Sequence, residues 1–169
     1  MTVTAKSVPI CCTICAVVDK VDVEILDILR TEHRIGLVEV ARRVGVARGT
    51  VQARLQKLID AGVIADHGPR IDPRPLGYPV LAFVFLEISQ GRLAEAVQTL
   101  EAIPEVLEAH GTTGPRDLLC RVVARDNEHL QEIINGILHS PSVRRSTSYI
   151  AMSEQIAPRV GPLLADSAG

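Results

Sequence analysis

Two clusters in this chain have residue types and spacing suited to chemistry. The first runs from Arg42 to Lys57, where Arg42, Arg43, Arg48, Arg54 and Lys57 occur without an intervening acid. Guanidinium and ammonium groups neutralise phosphates, while Arg and Gln make paired hydrogen bonds to guanine and adenine edges. Arg48, Thr50, Gln52 and Gln56 are the side chains suited to reading bases, and Arg43 and Lys57 those suited to phosphate. Arg54 stands close to an apolar stripe, so it either joins them or braces the domain. The plainer alternative is a solvated basic face on an ordinary pair of helices. The second cluster is HGTTGPRDLL, residues 110–119. Gly111 and Gly114 allow close approach to backbone, so neighbouring N–H groups could hold a carboxylate. Asp117 suits an ammonium group, and Ser146 and Ser148 could add hydroxyls from a later segment. Arg116 either binds a carboxylate or is simply solvated. Carboxylate and ammonium recognition side by side is what a zwitterionic amino acid requires. The plainer alternative is that Gly114 and Asp117 only shape a tight turn.

The first cluster needs a pair of helices to position it. Val51, Leu55 and Leu58 recur at i, i+4 and i+7, one apolar face of a helix. Ala41 is small where a second helix could cross, and Gly45 sits where the turn needs positive φ. This is the pattern of a helix-turn-helix whose second helix enters a major groove. Asp19 predicts the N-cap of a preceding helix to about Thr31, with Ile25, Leu26, Ile28 and Leu29 inward. AGVIADHGPRID, residues 61–72, reads as a two-stranded wing: Gly62 ends the second helix and HGP makes the turn. Pro73, Pro75 and Pro79 then interrupt regular structure.

The second cluster needs a sheet. PVLAFVFLEI, EVLEAHGTT, DLLCRVVA and SVRRSTSYIAM read as strands, and GRLAEAVQTLEA and NEHLQEIINGILHS as helices. The order βαββαβ is that of a ferredoxin-like sandwich. The fold class is therefore α+β. It comprises an extension at 1–16, a winged helix-turn-helix at 17–72 and a linker at 73–78. The sandwich follows at 79–155, and a loosely held tail at 156–169. Along the first strand Val80, Ala82, Val84, Leu86 and Ile88 share one face, and Leu81, Phe83 and Phe85 the other. Both helices of this topology cover one side of the sheet, so the second apolar face predicts a partner subunit and a dimer packed sheet on sheet.

Composition narrows the function classes. A net charge of −2 gives no general pull towards nucleic acid, so any DNA affinity must be local and salt-dependent. The four aromatic residues, Tyr78, Phe83, Phe85 and Tyr149, lie outside the basic stretch, which argues against a single-strand stacking platform. Cys12 and Cys15 have C-x-x-C spacing but no second pair follows, and Cys120 lies in an apolar run. No metal site, cofactor or catalytic grouping is expected. VPICCTICAVV, residues 8–18, is too short to span a bilayer, so the expected location is the cytoplasm, with no membrane partner.

The chain resembles the Lrp/AsnC, or feast/famine, family of transcriptional regulators from about Val18 to Met152. Four patches carry the resemblance in order: VDKVDVEIL, VARRVGVARGTVQARLQKLIDAGVI, IDPRPLGY and IPEVLEAHGTTGPRDLLCRV. It implies a winged helix-turn-helix joined to a ligand-binding βαββαβ domain. It also implies homodimers assembling to tetramers or octamers, and small effectors, usually amino acids, bound between dimers. The chain departs from the family pattern in several places. Ala47 stands where the reading helix usually has a Ser cap, Gly49 lies inside that helix, Pro115 lies in the loop, and Ser146 and Ser148 replace the usual Thr residues. The function expected is a sequence-specific regulator that binds double-stranded DNA and responds to a small effector, which the resemblance implies is an amino acid. The alternatives are a sirohaem-decarboxylase-like enzyme on the same architecture and an architectural protein that wraps DNA with little sequence preference.

Overall fold

Asp19 and Asp22 start the folded chain by capping each other. The Asp19 carboxylate accepts from the Asp22 N–H at 3.0 Å, and the Asp22 carboxylate accepts from the Asp19 N–H at 3.2 Å. This reciprocal box satisfies two donors that a helix N-terminus would otherwise leave open. Helix α1 follows at Lys20–Thr31. Helix α2 spans Leu37–Val44 and stops at Gly45, whose φ of 75° is the left-handed stop expected there. Helix α3 spans Arg48–Asp60, and Ala47 at its N-cap offers no side-chain hydrogen bond. Ile25, Val40, Ala41 and Val51 form the buried centre of this unit, with Val21, Ile28, Leu29 and Leu55 packed around it. In a computed structural model of the protein, residues 18–32, 34–65 and 71–167 are described. The HGP turn of the expected wing lies outside them. The preceding Val63 and Ile64 N–H groups donate back to the Leu58 carbonyl at 2.9 and 3.2 Å, closing off α3.

The second unit is an antiparallel sheet covered by two helices. After a single 3-10 turn at Arg74–Leu76, the elements are β1 Val80–Ile88, α4 Leu93–Glu101, β2 Val106–Gly111, β3 Leu118–Ala124, α5 Asn127–Leu138 and β4 Val143–Ile150. The strand order is β2-β3-β1-β4, that of the expected sandwich. Ala82, Val84 and Leu86 of β1 join Leu118, Cys120, Val122 and Ala124 of β3 beneath Leu130, Ile133, Ile134 and Ile137 of α5. Period-2 alternation puts Leu81, Phe83 and Phe85 on the opposite face. There Phe85 meets Tyr149 edge-on at 5.9 Å, and Phe83 stays 38% exposed. Between Glu87 and Ile88 the β1–β4 register shifts: Glu87 faces Arg145 and Ile88 faces Val143, leaving Arg144 as a bulge.

Compactness divides the chain into Met1–Gly68 with Pro158–Gly169, and Pro69–Ala157. The end of the chain corrects the expectation of a loose tail. Residues Gly161–Ser167 form a short helix α6 against α1. Gly161 permits this, because a Cβ there would meet the Arg30 guanidinium at 2.9 Å. The sequence signal was weak because Gly and Pro at the start of GPLLADS read as loop residues.

Candidate functional site

The basic stretch folds into two populations of side chain. Arg42 and Arg43 both reach Glu39, at 2.7 and 3.0 Å, and Arg43 also pairs with Glu32. Arg42, with Arg43 beside it, holds the Glu39 carboxyl down to about 2. Arg54 crosses to α1, where its Nη1 donates to Asp19 at 2.5 Å and Asp22 at 2.9 Å. Asp22 is fully buried, and Lys57 Nζ lies 3.9 Å from it. Hydrogen bonding from Arg54 is the main reason Asp19 titrates below its ordinary value. Of the two roles open to Arg54, bracing the domain is therefore the one its contacts support. Arg43 likewise serves two acids before any phosphate. Asp22 was missed as a functional residue, although Asp at i and i+3 before an apolar run is a readable signal.

What α3 shows outward is less charged than the sequence implied. Arg48, Thr50, Gln52, Gln56 and Lys57 are all exposed. Arg48 makes no ion pair among the described residues, while Gln56 Nε2 donates to Asp60 at 2.9 Å. Gly49 and Ala53, one turn apart, also face outward. With Asp19, Thr50, Arg54 and Lys57 they line a shallow depression. The outward face of α3 is thus a low strip of small residues. Thr50 and Lys57 flank it on one side, and Arg48, Gln52 and Gln56 on the other.

The second cluster is rearranged more strongly. The loop before β3 is stapled from within. Thr112 Oγ1 donates to the Arg116 carbonyl at 2.7 Å, the Thr112 N–H to the Asp117 carbonyl at 2.9 Å, and the Asp117 N–H to the Leu86 carbonyl at 2.9 Å. Asp117 commits one carboxylate oxygen to the sheet, since Oδ2 accepts from the Ile88 N–H at 2.7 Å, beside the bulge. Gly114 has φ 122°, a conformation that favours glycine, and its turn places Arg116 over the sheet. Arg116 crosses β1 on the open face, with Nη1 3.3 Å from Glu87 and Nη2 3.5 Å from Thr147 on β4. Ser146 and Ser148 pair with Leu86 and Val84, so they lie on the helix-covered side. The grouping of these serines with Arg116 is therefore corrected. Thr147, between them, is the residue that joins it, because side chains alternate along a strand. Glu87 was also missed, although a lone acid in the run VLAFVFLEI was there to be seen. Gly111 ends β2 opposite Leu118.

The remaining chemistry-bearing residues are structural or lie elsewhere. Burial pushes the Cys120 thiol up to about 11, which suits a core residue. Cys11, Cys12 and Cys15 lie outside the described residues. No group of three or more potential metal ligands occurs among the described residues. No helix among them is long and apolar enough to cross a membrane.

A helix-turn-helix with a basic second helix, joined to an antiparallel βαββαβ sandwich, defines a two-part class of DNA-binding protein with a separate ligand-binding domain. Comparison with known proteins gives the same division. A winged helix-turn-helix DNA-binding domain matches residues 18–65, and the Lrp/AsnC ligand binding domain matches residues 81–160. The HTH-type transcriptional regulator FL11 of Pyrococcus horikoshii is 31% identical over 134 residues, 79% of this chain and 89% of the relative. Regulatory protein AsnC of Escherichia coli is 32% identical, covering 86% and 97% of the two chains. The solved structure of E. coli AsnC has a TM-score of 0.79 over 86% of this chain and 99% of its own, at 29% identity. A feast or famine regulatory protein from M. tuberculosis, solved in complex with L-methionine, has a TM-score of 0.76 at 26% identity, covering 84% and 97%. The chain belongs to the Lrp/AsnC family of DNA-binding transcriptional regulators.

Proposed function

We propose that this regulator reads a specific DNA sequence through the outward face of α3 and that a small effector, an amino acid, tunes the binding from the sandwich domain. Arg48, Thr50, Gln52 and Gln56 read base edges, and Lys57 holds phosphate. Arg43 and Arg54 act mainly by fixing the helices. The observation that carries the reading is the division of the basic stretch: acids take up Arg42, Arg43 and Arg54, while Arg48 and Gln52 remain exposed on α3. Two copies joined through the open sheet face, bearing Leu81, Phe83 and Phe85, would present two such helices. Their half-sites would lie about 34 Å apart or a multiple of that. Dimers assembling to tetramers or octamers, and a cytoplasmic location, belong to the same reading.

The effector reading rests on the stapled loop of residues 110–119, together with the ligand-binding domain match and the L-methionine complex of a structural relative. Gly111, Gly114 and Asp117 shape that loop, and Arg116 is its half-buried binding group. The experiment is a binding series on an operator selected from random DNA. Gln52→Ala is expected to change base preference at one position per half-site, by about 1–3 kcal/mol. Lys57→Ala is expected to weaken all sequences alike and to lower the salt slope by about one unit. Unaltered preference and affinity in both variants would remove α3 as the reading element.

A further inference from the structure

The open face of the sheet ends, at the β1 bulge, in an unbalanced group of charges. Arg116, Arg144 and Arg145 supply three guanidinium groups, and Glu87 and Asp117 two carboxylates. Each acceptor already carries a bond, and Asp117 keeps its second oxygen. Glu87 gives one oxygen to Arg116 and the other to Arg144, each at 3.3 Å. Asp117 accepts from the Ile88 N–H at 2.7 Å. The donors are not fully engaged. Distances of 3.3 Å are longer than the 2.7–2.9 Å of a full charge-assisted bond, so both guanidiniums keep donors to offer. Arg145 faces Glu87 directly across the β1–β4 pair, is exposed, and makes no ion pair or hydrogen bond among the described residues. The hydrogen bonds that staple the loop hold the backbone on either side of Arg116, which lowers the cost of ordering its side chain on a ligand.

A site with three guanidiniums and two carboxylates favours a ligand with more carboxylates than ammonium groups. An amino acid without a charged side chain brings one of each and leaves the excess of one positive charge unmatched. A ligand with two carboxylates and a net negative charge matches the excess of one positive charge. We infer that the effector is a small dicarboxylate, an acidic amino acid or the corresponding 2-oxo acid, held by Arg116 and Arg145 across the end of β1. This rests on the reading of loop 110–119 as the effector site, and names the class of ligand for it.

The test is a thermal-shift and calorimetric series on the full chain, since a ligand of the native state raises its apparent stability. The probes are the twenty amino acids together with 2-oxoglutarate and oxaloacetate. Aspartate, glutamate or one of the 2-oxo acids is expected to bind, with asparagine and glutamine binding far more weakly. Comparison of glutamate with 2-oxoglutarate, and of aspartate with oxaloacetate, identifies which source the protein uses. Arg116→Gln and Arg145→Gln are each expected to weaken binding about tenfold or more, as loss of a charged hydrogen bond does. Arg125→Gln, at the far end of β3, is expected to leave it unchanged. An amide or apolar amino acid that binds at least as well as the acids, and is weakened by Arg116→Gln, would overturn the dicarboxylate class and keep the effector site. No binding from the whole panel, or binding that neither variant moves, would overturn both. Should Arg116→Gln fail to fold, the acid-against-amide comparison on the unaltered protein still decides.

Discussion

The helix-turn-helix unit and the sandwich unit manage charge in opposite ways. Among the described residues, the first buries an apolar cluster of 4 and the second one of 13. A small core leaves a three-helix unit marginal. Its helices are accordingly cross-linked by Arg54 to Asp19 and Asp22 and by Arg43 to Glu32 at the end of α1, while Glu39 pairs with Arg43 within α2. Those bonds also orient α3, so structural charge and the proposed reading surface sit on the same short helix. In the sandwich the core is large enough to fix the fold, and charges at the sheet end are left in surplus. A basic stretch in a small domain is thus partly internal scaffolding, while a basic group on a well-packed sheet is available to a ligand.

The sharpest way to break this comparison is to cut into each core. Ile25→Ala and Leu86→Ala both truncate fully buried side chains, and each is expected to cost about 2–5 kcal/mol. The same loss takes a larger share of the smaller unit's stability. Amide exchange read along the chain should show Lys20–Asp60 opening in Ile25→Ala while β1 and β3 stay protected. Loss of protection in β1 and β3 as well would mean that the two units stand or fall together, and that the contrast in core size has no consequence.

The same contrast explains what was legible in the sequence. The helix-turn-helix is built from local rules, and its apolar stripe of Val51, Leu55 and Leu58 could be read directly. So could Gly45 at the turn and Asp19 at the cap. The sandwich topology was equally legible, because strand and helix periods alternate in order. The site on it was not. Whether Ser146, Thr147 or Ser148 faces Arg116 depends on the β1–β4 register, which no local pattern states, and a one-residue step reverses the face. The bond that Asp117 makes to the sheet was hidden for a similar reason: its hydrogen-bond partner, the Ile88 N–H, lies 29 residues away in the chain. Arg54 was ambiguous because its acids lie on a different helix.

A smaller effect sharpens the view of α3 as both scaffold and reader. Gly49 lies in the first turn of α3, and a Cβ there would meet nothing within 4 Å. Gly49→Ala is therefore expected to stabilise the unit by about 0.5–1 kcal/mol, by removing the backbone freedom of glycine. The methyl group would stand in the middle of the outward strip, where the helix must approach DNA closely. Operator affinity should fall as the melting temperature rises. A variant that gains stability and keeps full affinity would show that DNA contacts a flank of α3 and not the strip itself.

The smallest expected effect separates the units by pH. Glu39 is held at about 2 against an ordinary 4.5, mainly by Arg42, and Asp19 is lowered from 3.8, mainly by Arg54. A carboxylate whose pKa is lower folded than unfolded stabilises fully above its unfolded value. That contribution drains away as pH falls towards the folded value. For Glu39 the window runs from 4.5 down to about 2. In the sandwich, Glu108 is lowered from 4.5, mainly by Arg121. Between about pH 5 and pH 3 the helix-turn-helix unit should therefore lose more stability than the sandwich. The loss should be modest and should shrink in high salt, because these groups are solvent-exposed. Glu39→Gln removes one of the titrating groups, so its stability should vary less steeply with pH across that window. An unchanged slope would show that the pairs Glu39 makes with Arg42 and Arg43 are absent in solution, and that the cross-linking of the basic stretch rests on Arg54 and on Arg43 with Glu32.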